Sequence, residues 1–164
     1  MQLSFFIAMM AITFCDAVHV FKSASVSTTT SLQAVVTPLP CKRVTPEPCD
    51  LETQEMFNRF AYAFIYEKNL TKSFEYIAFD YINHNPFAKN GSAAALDILG
   101  PVWENTTILP FRTRFQDNMG WLNYNASGIG AVVDRFRWEG GCIVEHWDVG
   151  EIYPSCGSSS DINK

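Results

Sequence analysis

The sequence predicts an α+β domain, and three observations carry that expectation. Apolar residues recur at three- and four-residue spacing from Met56 to Ile65, as on one face of a helix. Beyond Thr106 the texture changes to alternating apolar and polar residues, the period of a half-buried strand. Finally, two alternating runs between Ala131 and Val149 flank Gly140-Gly141, a pair suited to a two-residue hairpin turn. Helices first and antiparallel strands afterwards is the order of an α+β fold.

Taken in order, the elements start after a long preamble. Leu3 to Phe14 is an apolar run too short for a bilayer, which needs about 20 residues, and it ends in Cys15-Asp16-Ala17. It reads as a signal peptide, residues 1–17, cleaved after Ala17. Residues 18–49 form a Ser-, Thr- and Pro-rich leader without helical or strand period, expected to be flexible and a site for O-glycosylation. Asp50 is the expected cap of a first helix carrying Met56, Phe57, Phe60, Ala61, Phe64 and Ile65 and running to about Lys68. Thr71 is the expected cap of a second short helix with Phe74, Ile77 and Ala78. Tyr81 to Pro86 reads as a strand or turn ended by proline. Gly91-Ser92 opens a third helix, Ala93 to about Glu104, that Pro101 ends or kinks. Strands are expected over Ile108–Phe115, over Trp121–Tyr124, and on both arms of the Gly-Gly hairpin. The domain is therefore placed at 50–154, with a tail at 155–164.

Composition narrows the function classes. With 164 residues, 48% of them hydrophobic and 14% aromatic, the chain can bury a sizeable core. A net charge of -5 with scattered Lys and Arg leaves no basic face for a phosphate backbone, so nucleic acid is not an expected partner. Four acceptor tripeptides for N-glycosylation, at Asn69, Asn90, Asn105 and Asn125, agree with a secreted, extracellular protein that meets no membrane after signal cleavage. Once Cys15 leaves with the signal, Cys41, Cys49, Cys142 and Cys156 remain, an even set that an oxidising compartment would pair. Their spacings do not suit zinc, and neither metal nor cofactor is expected. Cys142 begins the last strand and Cys156 lies beyond its far end, about 24 Å away after seven residues at strand rise, so joining the two would require the residues after Val149 to retrace that whole length. The expectation is therefore that Cys41 and Cys49 each pair with one of them.

The hairpin also carries the chemistry. With Gly140 and Gly141 as the turn, Phe136 pairs with Glu145 and Asp134 with Trp147. One face then carries Val132, Asp134, Phe136, Trp138, Ile143, Glu145, Trp147 and Val149, and the other carries Arg135, Arg137 and His146. A turn one residue longer would put His146 opposite Asp134 instead. Asp134 faces inward in both registers. There it either becomes a proton donor, because burial favours its neutral form, or it accepts a hydrogen bond from a buried Trp or Tyr, or it pairs with an Arg. His84 is read as the accompanying base or as a turn cap, and His146 as structural.

The stretch Ala131 to Val149, with its Asp-x-Phe-Arg, Gly turn and Ile-Val-Glu-His-Trp-Asp-Val, resembles the closing hairpin of SnoaL-like proteins. Tyr81-Ile82-Asn83-His84-Asn85-Pro86, followed by Gly91 and the helix to Trp103, is similar to that family's central segment, so the resemblance spans roughly Asp50 to Pro154. It implies the nuclear transport factor 2-like fold, a cone-shaped, curved antiparallel sheet packed against three N-terminal helices around an apolar cavity. It further implies binding of a small apolar, carbonyl-containing molecule, without a cofactor. General acid-base turnover of the isomerase, cyclase or aldol type would use Asp134 as acid and His84 as base. Phe60, Phe64, Asn85, Trp103, Phe136 and Trp147 are the expected ligand contacts. The chain departs from ketosteroid isomerase, since Asn85 stands where that enzyme has its general-base Asp and Phe60 where it has a Tyr. It also lacks the cyclases' mid-sheet His between Ile108 and Ala131. The other reading is a non-catalytic secreted ligand-binding or protein-interaction module. A homodimer through the outer sheet face is the family-level expectation.

Overall fold

The structure is a computed structural model, and it describes residues 37–155. The apolar segment with its cleavage point, the first half of the leader, and Cys156 lie outside the described residues. Helix α1, Asp50–Ala61, turns Phe57, Phe60 and Ala61 into the core. Cys49 takes the N-cap position expected for Asp50, and its backbone N–H donates to Glu52 at 2.9 Å. The expected continuation to Lys68 exists as a π-helical turn, Tyr62–Tyr66, closed by the Glu67 N–H on the Tyr62 carbonyl. Helix α2, Leu70–Phe74, is capped by Asn69, whose Oδ1 accepts from Lys72 N at 3.0 Å, so Thr71 lies inside the helix and is not its cap. Strand β1, Ile77–Asn83, begins earlier than expected and takes Ile77 and Ala78 out of that helix. Helix α3 runs over Ser92–Trp103 with Pro101 inside it.

The remaining strands are β2, Ile108–Gln116, β3, Met119–Ala126, β4, Gly130–Glu139, and β5, Cys142–Trp147. They form one open sheet in the order β1-β5-β4-β3-β2, with β1 parallel to β5 and every other pair antiparallel. The helices cover its inner face. Phe57, Phe60, Phe64, Leu122, Phe136 and Trp138 meet there in the principal core. Gly120 makes the closest approach, for a Cβ at that position would overlap the Phe57 ring.

Gly140 and Gly141 both have positive φ, 55° and 80°, which gives the expected two-residue turn with Glu139 opposite Cys142. The expected register then fails one step further on. Trp138 pairs with Ile143, but Arg137 pairs with Glu145, so Val144 is the extra residue of a β-bulge. Past the bulge Phe136 pairs with His146 and Arg135 with Trp147. His146 thereby moves to the inner face, and Glu145 and Trp147 to the outer one.

The leader is not free throughout. Cys41 is joined to Cys142 with a Cα–Cα distance of 5.7 Å, its N–H donates to Ile77 O at 2.9 Å, and Val44 N donates to Gly140 O at 3.0 Å. The Cys49 thiol is free and exposed among the described residues.

Candidate functional site

A cavity of about 110 Å³ opens between α3, β1 and the inner face of the hairpin. One end is apolar, walled by Phe60, Phe64, Phe74, Ile77, Leu99 and Phe136. The other end is polar, with Tyr81, Asn83, Asn85, His146 and Asp148 in the lining. α3 contributes Ala95, Ile98 and Leu99 because residues three and four apart share a helix face. The ring of Phe136 stacks on His146 at 4.8 Å and 21°, and Tyr81 flanks it at 6.4 Å.

Asp134 sits behind His146 and is buried. The Tyr124 hydroxyl donates to its Oδ2 at 2.8 Å, and His146 Nε2 lies 3.0 Å from its Oδ1. The other imidazole nitrogen, Nδ1, is 3.4 Å from Asn83 Oδ1. Asn85 Nδ2 donates to Asp148 Oδ2 at 2.7 Å, which ties the segment after β1 to the end of β5. Burial first, and then the charge of Asp134, push the Tyr124 hydroxyl well above its ordinary range. Tyr81 is raised too, by burial, then by Asp134 and Asp148. Both phenols therefore remain hydrogen-bond donors. Asp134 is thus a held carboxylate that orients an imidazole, and His146 is the group it presents to the cavity.

Several expectations are corrected by this geometry. His84, expected to share the cavity with Asp134, lies on the outer face. Its Nε2 is 2.8 Å from Glu145 Oε2, and its ring stacks on Trp147 at 4.3 Å and 3°. The cause is alternation, since His84 follows Asn83, which faces inward beside His146. Trp147 leaves the cavity with the bulge and stands between His84 and the Arg135 guanidinium, 4.2 Å from its ring. Trp103 is core, stacked on Phe64 at 4.4 Å. Phe60, Phe64, Asn85 and Phe136 do line the cavity. Sequence reasoning missed Asn83, Tyr81, Tyr124 and Asp148 and read His146 as structural. The one signal for His146 was the alternative register that set it opposite Asp134.

Asp134, His146 and Asp148 offer ligand atoms within 4.8 Å of one another, the only such trio among the described residues. Of the sequon asparagines, Asn69 is half-buried and Asn90, Asn105 and Asn125 are exposed.

No family model matches the chain, and no curated protein matches it in sequence. Among solved structures, the chain is similar to an NTF2-like protein of unknown function from Mesorhizobium loti at 18% identity, with 69% of this chain and 97% of that one covered and a TM-score of 0.50. Other matches are a putative polyketide cyclase from Sinorhizobium meliloti (13% identity, 62% and 99% covered, TM-score 0.48) and a SnoaL-like protein of unknown function from Burkholderia thailandensis (10%, 62% and 96%, 0.47). The first of these and the strand order agree on the architecture, and this chain has the nuclear transport factor 2-like fold, the fold of the SnoaL-like proteins that its hairpin and central segment resemble.

Proposed function

We propose that the protein binds a small, largely apolar molecule in the cavity between α3, β1 and the β4–β5 hairpin, with the polar end of that molecule at His146. The observation that carries this reading is the cavity itself, where an apolar wall of phenylalanines meets a cluster of polar groups at one end. The Tyr124–Asp134–His146 chain supports a second reading, proton exchange with the bound molecule. In it Asp134 fixes the imidazole and His146 transfers the proton. Asp134 and His84 form no acid-base pair in this reading, because His84 packs against Glu145 and Trp147 on the outer face, away from Asp134.

The protein is, on this proposal, secreted and glycosylated at the four sequons. The exposed asparagines at three of them, Asn90, Asn105 and Asn125, and the Cys41–Cys142 bridge support it. Cys49 then pairs with Cys156, the one remaining cysteine after signal cleavage.

Mass spectrometry of protein from its producing cells tests these points together. Native spectra should show an added small molecule that denaturation releases, and Ile98→Trp, at the half-exposed rim of the cavity, should lower its occupancy. The denatured protein should carry more than one glycan and no free thiol. An empty native protein at full folding contradicts the binding reading, and an unglycosylated mass with free thiols contradicts secretion.

A further inference from the structure

The cavity has a charge character that its apolar walls accentuate. Asp148 stands in the lining and Asp134 directly behind His146, while no lysine or arginine is among the lining residues. The hairpin arginines are engaged elsewhere: Arg135 pairs with Glu151, and Arg137 with Glu139 and Glu145. A cation entering the cavity therefore meets no lysine or arginine, whereas an anion meets the Asp148 carboxylate. Charge interactions are stronger among apolar walls than in water. The buried phenols of Tyr81 and Tyr124 register that field, for Asp134 and Asp148 add to the rise that burial imposes on both.

The walls are suited to the same visitor. Phe60, Phe64, Phe74, Tyr81 and Phe136 present aromatic rings, whose faces attract cations. An ammonium group is a donor only, and it meets the Asp148 carboxylate and Asn83 Oδ1. Asp148 already accepts from Asn85 Nδ2 and Val149 N, and Asn83 Oδ1 from Asn85 N, so the ammonium takes a second lone pair on one of these oxygens. A carbonyl ligand finds no free acid in Asp134, which is already held by Tyr124 and His146, and is left with the Tyr81 hydroxyl and the Asn85 amide as donors.

We propose that the occupant is a small primary or secondary amine, bound as its cation with the nitrogen at Asp148 and its apolar part among the phenylalanine rings. This rests on the reading of the cavity as a small-molecule site. The test is a matched set of probes, benzylamine, benzyl alcohol and benzoate, titrated at pH 8 into the full chain and read from the NMR methyl shifts of Ile77 and Leu99. Benzylamine should bind at least about tenfold more tightly than benzyl alcohol, a difference of about 1.4 kcal/mol, and benzoate should not bind. Asp148→Asn keeps an oxygen for Asn85 and should bring benzylamine down to the level of benzyl alcohol. Should that variant not fold, the probe series on the unaltered chain decides alone. Benzyl alcohol or benzoate binding as tightly as the amine overturns the amine assignment and leaves the cavity reading intact. If none of the three moves Ile77 or Leu99, the cavity reading falls and the proposal with it. Zinc ion at one equivalent shifting the His146 imidazole would mark a metal site and also overturn the assignment.

Discussion

Glu145 works on the outer face as Asp134 works on the inner one, each holding a histidine in place. The Glu145 carboxyl lies below its ordinary range, chiefly because His84 hydrogen-bonds to it and secondarily because Arg137 does. A depressed carboxylate contributes stability that is fully present above its unfolded value, about 4.3, and is lost as pH falls through the folded value. Acid unfolding of the protein should therefore include a component below about pH 4.3 that His84→Ala makes shallower. Chemical denaturation at a series of pH values checks this, and an identical pH slope for the variant would contradict the assigned role of the pair. His84 is 37% exposed, so solvent screens the pair and its effect should be small.

At the level of elements, the packing of α1 on the sheet is set by a missing side chain. Gly120 gives up its Cβ so that the Phe57 ring can lie against β3. Gly120→Ala should destabilise by about 1–3 kcal/mol, and far less when combined with Phe57→Leu, which shortens the intruding ring. Additive effects of the two changes in urea unfolding would show that they do not meet. Much of this element plan was legible in the sequence. The helical period from Met56 to Ile65 and the Gly-Gly turn have their observed counterparts, and the order of helices before strands holds except that β1 precedes α3. The bulge at Val144 was not legible, because a bulge leaves the apolar pattern of Ile143, Val144 and Trp147 unchanged while moving every later residue to the other face. That single residue explains why Trp147 was expected in the cavity and His146 was not. Asn83 escaped for a related reason, since nothing in Tyr81–Pro86 says where β1 ends or which face its last residue takes.

For the whole molecule, the described tail and leader are both tied to the sheet. Glu151 pairs with Arg135 at 2.8 Å, Arg112 lies over Tyr153 at 4.0 Å, and Arg114 donates to the Ser155 carbonyl at 2.9 Å, so the segment after β5 crosses the outer face. The Cys41–Cys142 bridge anchors the leader across a sequence separation of 101 residues. In the chain-entropy model a closure of that length stabilises by about 4.7 kcal/mol. The shape of the cavity depends on this frame, because Cys142 opens β5, the strand that delivers His146 and leads into Asp148. The polar end of the cavity depends on that delivery, with His146 facing the cavity and His84 facing away. Nuclear Overhauser contacts of the two imidazoles measure it directly. Cross-peaks are expected from His146 to the Phe136 and Tyr81 rings and from His84 to the Trp147 indole. Cross-peaks from His84 to Phe136 or Tyr81, with His146 seeing neither, would contradict it.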